Sequence, residues 1–146
     1  MPAATRTVTI ARPIDQVFAY FADATNSARW RSGVKEITAE GEPAVGTVYR
    51  QTISGPGGRG IPADVRITEY EPNRIVVLRG IAGPLRPTVA YTFVPVGEAT
   101  TEVTFSLSAE LSGLKRLLMS GPVQKTMTAE VAGLDRAKTL LETGAA

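Results

Sequence analysis

TEVTFSLSAELSGLKRLLMSGPVQKTMTAEVAGLDRAKTLLE, residues 101–142, carries two periodicities in succession, and the switch between them decides the fold. From Thr101 to Ser108 the side chains alternate. Thr101, Val103, Phe105 and Leu107 share one face, and Glu102, Thr104, Ser106 and Ser108 share the other. One apolar and one polar face at period two is the pattern of an antiparallel strand that is half in water. After Ser112-Gly113 the period becomes that of a helix. Leu114, Leu117 and Leu118 make a first apolar turn and a half, and Ser120-Gly121-Pro122 interrupts it. Val123, Met127, Val131, Leu134 and Leu141 then lie along one stripe. The spacing predicts a long helix over residues 122–142, with a kink or break at Gly121-Pro122, because proline removes a helical hydrogen bond.

Working back from there, period two dominates. Thr47, Tyr49, Gln51 and Ile53 oppose Val48, Arg50, Thr52 and Ser54; Ile61, Ala63, Val65 and Ile67 oppose Pro62, Asp64, Arg66 and Thr68. Val89, Tyr91 and Phe93 alternate with Ala90, Thr92 and Val94. Residues 75–81 are apolar on both faces, which leaves the orientation of Arg79 open. Gly41-Glu42-Pro43, Gly55-Pro56-Gly57-Gly58, Glu71-Pro72-Asn73, Gly83-Pro84 and Pro95-Val96-Gly97 punctuate these runs as turns. At the N-terminal end a short strand over Thr5–Ala11 leads into Pro13 and an apolar stripe of Ile14, Val17, Phe18 and Phe21. Asp23 caps a second short helix that runs to Trp30, and Val34–Ala39 reads as the next strand.

The order is one strand, two short helices, six strands and a long helix: an α+β domain with a six- or seven-stranded antiparallel sheet. A sheet with one dry face must cover it, and only the terminal helix is long enough. A helix about 10 Å wide cannot cover seven strands spaced about 4.7 Å apart. Either the sheet curls round the helix or an apolar space of ligand size, about 300 Å³ or more, remains beside it.

Composition excludes much. The 146 residues include no Cys and no His. There is thus no disulfide, no thiol nucleophile, no Ser-His-Asp triad and no ordinary zinc site. No cofactor and no metal are expected. The net charge of +2 is spread from Arg6 to Lys138 with no basic block, which argues against nucleic acid. The first six residues lack the apolar run of a signal peptide, and no stretch is long and apolar enough to span a membrane. A cytoplasmic, soluble protein is expected. Gly55-Pro56-Gly57-Gly58-Arg59-Gly60 formally matches G-x-G-x-x-G, but a strand pattern follows it where a dinucleotide site needs a helix. It reads as a flexible hairpin.

Several features in this order resemble one family. They are Pro13-Ile14-Asp15-Gln16-Val17-Phe18 after the opening strand, Trp30 closing the second helix, and Val45-Gly46-Thr47 entering a strand. Thr68-Glu69-Tyr70-Glu71-Pro72-Asn73, Thr100-Thr101-Glu102-Val103-Thr104-Phe105 and the helix ending Leu140-Leu141-Glu142 complete the set. Over residues 5–143 the chain resembles the START-like (SRPBCC) superfamily, in its bacterial polyketide cyclase/dehydrase and lipid-transport branch. The resemblance implies a single domain over residues 1–146 with the helix-grip fold, holding an apolar small molecule between sheet and helix. It implies no single reaction, since members include cyclases, dehydratases, hormone receptors and lipid carriers.

Three functions follow from this reading. The first is a binding module for a lipid, aromatic or polyketide-like molecule. The second is a cyclase/dehydratase-type enzyme with Tyr49, Gln51, Tyr91 and Arg79 as polar handles. The third is an interaction module like the co-chaperones that activate the Hsp90 ATPase. The partner expected is an apolar small molecule, with a homodimer left open. The residues expected to line the cavity are Trp30, Tyr49, Gln51, Val65, Arg79, Tyr91, Phe93, Phe105, Met119, Met127 and Val131. Gln51 has two readings of equal weight: it bonds a backbone group at a bulge or strand end, or it faces a ligand oxygen. Glu130 lies beside the helical stripe, and no carboxylates pair on the predicted interior, so general acid–base catalysis has no evident agents.

Overall fold

Alternation along Pro87–Gly97 and Thr100–Ala109 produces the two longest strands, which turn alternate side chains inward. They are β7 and β8 of a computed structural model that describes residues 2–83, 86–109 and 114–146, without the side chains of Pro56 and residues 114–120. Before them come β1 (Ala3–Ile10), α1 (Ile14–Ala22), a 3-10 turn (Ala24–Asn26), α2 (Ser27–Trp30), β2 (Val34–Glu40), β3 (Val48–Ser54), β4 (Gly60–Pro62), β5 (Val65–Glu71) and β6 (Ile75–Gly80). After them come α3 (Leu114–Ala132) and α4 (Leu134–Thr143).

The strands pair in the order β1-β8-β7-β6-β5-β3-β2, every pair antiparallel, with the short β4 hydrogen-bonded to β3. Seven strands form the curled half-barrel, and the C-terminal helices lie in its grip. The run read as one strand over residues 61–68 is broken at Ala63-Asp64. There the Asp64 carboxylate accepts the Gln51 backbone N–H at 3.0 Å in place of a ladder partner. The glycine-rich loop before it is the hairpin from β3 to β4, with Ser54 opposite Gly60.

The inner face carries Val8, Ile10, Tyr49, Ile67, Val76, Tyr91, Val103, Phe105 and Leu107, all buried. Register settles the ambiguous strand. Val76 and Leu78 stand opposite Tyr91 and Val89 on that face, so Val77 and Arg79 point outward. Arg79 is exposed and donates to the Thr88 hydroxyl at 3.0 Å, which removes it from the expected cavity wall.

The terminal helix breaks elsewhere than predicted. α3 continues through Pro122, and the break falls at Gly133. Pro122 is exposed, so water can take the bond that the ring denies to the carbonyl one turn earlier. Gly133 packs so tightly that a Cβ there would lie 2.8 Å from the carbonyl oxygen of Trp30. Leu114, Leu117 and Leu118 lie in the part of α3 whose side chains are outside the description, and Ser112-Gly113 lies outside the described residues. Among the described residues no helix is long and apolar enough to cross a membrane.

Candidate functional site

Aromatic rings from α1 and α2 pack against the inner face of the sheet. Tyr91 and Phe105, neighbours on β7 and β8, stack with centroids 4.9 Å apart and planes 8° from parallel. Trp30 sits edge-on to Phe105 at 5.2 Å, Phe21 lies 5.3 Å from Tyr91, and Phe18 meets Phe93 at 5.1 Å. Edge and offset contacts of this kind each contribute about 0.5–1.5 kcal/mol beyond burial. The two short helices supply Phe18, Phe21 and Trp30 to this cluster, beside the C-terminal helices.

A void of about 20 Å³ lies under α2. That is close to the roughly 10–15 Å³ that one water needs. Its walls are apolar (Ile37, Val65, Leu78, Val89) except where Ser27, Arg31, Gln51 and Tyr91 reach it. Ile37 and Gln51 also line an open groove of about 630 Å³ that runs between the 3-10 turn, α2 and the strands β2 and β3. Lys35, Glu36, Arg50 and Asp64 form its charged rim. The groove falls in the size range of small-molecule sites, and it adjoins the buried polar corner through two shared residues.

Arg31 is the centre of that corner. Its Nε donates to Oε2 of Glu130 on α3 at 2.9 Å, and the two side chains are only 12% and 9% exposed. Its Cζ lies 5.5 Å from the Phe105 ring centroid. Burial pushes the Tyr91 phenol above its ordinary pKa, while the Arg31 guanidinium and the Ser27 hydroxyl pull against that shift. At neutral pH Tyr91 is therefore a protonated donor beside a buried cation. Among the described residues, no three acidic side chains gather as metal ligands.

The candidate residues divide clearly. Trp30, Tyr91, Phe93 and Phe105 share the aromatic cluster, and Val65 walls the void. Met127 and Val131 are buried on α3, and the side chain of Met119 is outside the description. Tyr49 is buried away from the void; its hydroxyl donates to the carbonyl of Ala22 at 3.3 Å, and burial raises its pKa to about 12. Gln51 bonds a backbone group, the first of its two readings. Its Nε2 donates to the carbonyl of Ala63 at 2.8 Å, at the strand break, while its side chain walls void and groove. Sequence reasoning missed Ser27, Arg31 and Glu130 as site residues. A signal for Glu130 was present: Val123, Met127, Glu130, Leu134, Ala137 and Leu141 follow a four-three repeat of buried positions on α3 and α4. An acid in such a row needs a buried partner.

The geometry has counterparts. Residues 1–142 match the family described as polyketide cyclase / dehydrase and lipid transport. A Thermus thermophilus protein is 20% identical, with a TM-score of 0.80 and 99% of both chains covered. The Zhui aromatase/cyclase from Streptomyces sp. R1128 is 14% identical, with a TM-score of 0.70 and 94% of this chain and 93% of that one covered. A START superfamily protein from Mycobacterium smegmatis is 14% identical, with a TM-score of 0.72, covering 95% of this chain and 98% of that one. At these identities the likeness is one of fold. No curated protein matches the chain in sequence.

Proposed function

The chain belongs to the polyketide cyclase/dehydrase and lipid transport family, and from that premise we propose that it binds an apolar small molecule in the groove beside β2. The polar end of the ligand reaches Ser27, Arg31, Gln51 and Tyr91. The observation that carries this reading is the sharing of Ile37 and Gln51 between groove and void. An open seat of ligand size is thereby joined to a buried set of donors, which is the usual make-up of a small-molecule site. The site lies under α2 rather than along α3. Screening fatty acids, flat aromatics and polyketide-like phenols should raise the melting temperature with at least one class. The gain approaches about 2.7 kcal/mol at ligand concentrations near 100 times Kd. Ile37→Trp, which blocks the shared wall, should abolish that response. If no class stabilises the protein, the binding reading is wrong.

A cyclase or dehydratase activity is a second reading, supported by the same corner. A phenol kept protonated by burial beside a guanidinium can donate to a ketone oxygen as negative charge develops on it. Incubation with a short poly-β-ketone thioester should then yield cyclised product that Tyr91→Phe reduces by about 10²-fold or more. Binding without turnover would leave the carrier reading alone.

A further inference from the structure

We propose that the ligand is an apolar organic acid whose carboxylate replaces that of Glu130 on Arg31, so that the Arg31–Glu130 pair is the closed latch of the site. This deepens the ligand site proposed above and rests on it. Glu130 is the one acidic side chain buried among the described residues. It meets Arg31 through a single bond, Nε to Oε2 at 2.9 Å, although a guanidinium is a fork suited to two parallel bonds with a carboxylate. Its other oxygen, Oε1, lies in the space that Gly33 leaves by having no side chain; a Cβ there would stand 1.9 Å away. That oxygen accepts no hydrogen bond among the described residues.

The other side of Arg31 faces the void, with the Ser27 and Tyr91 hydroxyl-bearing side chains beside it. A carboxylate arriving from the groove past Ile37 and Gln51 meets the guanidinium from that side, with two further donors at hand. It cannot simply be added. Two carboxylates on one buried guanidinium leave a net negative charge out of water, which is strongly unfavourable. Exchange avoids this, because Glu130 follows the exposed Ala129 on α3 and its flexible end can turn outward as the acid enters. A neutral ligand gains nothing from the exchange and leaves the pair closed.

The test uses decanoate and 2-naphthoate against decanamide and 2-naphthamide, with calorimetry and the emission of Trp30, the single tryptophan, as readouts. Each acid should bind the native protein about tenfold or more tighter than its amide. Glu130→Gln, which keeps an oxygen for Arg31 but removes the competing charge, should strengthen acid binding by about tenfold or more and leave the amides within about threefold. The double variant Arg31→Met/Glu130→Met, an apolar replacement of the whole pair, is expected to fold even if the single variant does not. It should lose all preference for acids. Equal binding of acids and amides by the native protein, or acid binding unmoved by Glu130→Gln, overturns the latch while the groove stands as a neutral-ligand site. Failure of both acids and amides to bind the native protein overturns the site itself.

Discussion

A β-carbon on Gly33 would stand 1.9 Å from Oε1 of Glu130, so this residue governs whether α3 and the end of α2 can be joined by an ion pair. Gly33→Ala forces the flexible carboxylate aside and weakens the bond to Arg31. The expected cost is about 1.5–3 kcal/mol, the range of a hydrogen bond to a charged group. In a Glu130→Ala background the same substitution should cost close to nothing, and a double-mutant cycle from urea unfolding measures the coupling. Simple additivity would show that Gly33 matters for some other reason. The tyrosines make a second residue-scale prediction. Burial raises the phenol of Tyr49 to about 12, and it raises those of Tyr20 and Tyr91 as well. A folded pKa above the unfolded value near 10 means that the folded chain holds its proton more tightly, so stability is full below about pH 10 and falls as pH climbs towards about 12. The absorbance of these three phenolates should appear together with unfolding. Tyr49→Phe should shift the alkaline midpoint upward. Gln51 shows how far a residue can be read from its chemistry alone: a half-buried amide needs partners, but whether these are backbone or ligand depends on a strand break that alternation did not reveal.

Two residues decide where the C-terminal helix breaks, and only one of them was expected to. Pro122 has the stronger local signal for a break, yet α3 passes through it because its face of the helix is exposed. Pro122→Ala should therefore stabilise the protein, by up to about 3 kcal/mol, the cost of an interior helical proline. Gly133→Ala should do the opposite. Helix propensity alone favours alanine over glycine by about 1 kcal/mol. The new Cβ, however, would meet the carbonyl oxygens of Trp30 at 2.8 Å and Glu130 at 3.1 Å, and these are backbone atoms. Chemical denaturation of both variants checks the pair. A gain in stability for Gly133→Ala would mean that the break is a local preference rather than a packing requirement. The strands were more legible, because a half-buried strand states its orientation at every second residue. Residues 75–81 were the exception, since their two faces are equally apolar and only register against β7 orients them.

At the scale of the whole molecule, aromatic rings carried by α1 and α2 pack on the inner face of β7 and β8. Phe105→Ala should then cost about 3–5 kcal/mol by leaving a void between Trp30, Tyr91 and Arg31. That void should bind benzene or indole and recover part of the lost stability, as measured by melting temperature with and without the probe. A small loss with no rescue would indicate that the core collapses inward. The sequence by itself determined the class of the fold: period two followed by period 3.6, with turn residues at hairpin spacing, specifies an antiparallel sheet and a covering helix. The absence of His and Cys, a matter of composition, excluded whole classes of chemistry. The tertiary structure decided the site. Arg31 and Glu130 lie 99 residues apart in the chain and meet only because the C-terminal helix returns across the sheet to α2. The fill of the interior depends on where Phe18, Phe21 and Trp30 are carried by two short helices. Periodicity reports which face of an element is apolar. It does not report which neighbour that face will meet, and that is fixed by long-range packing.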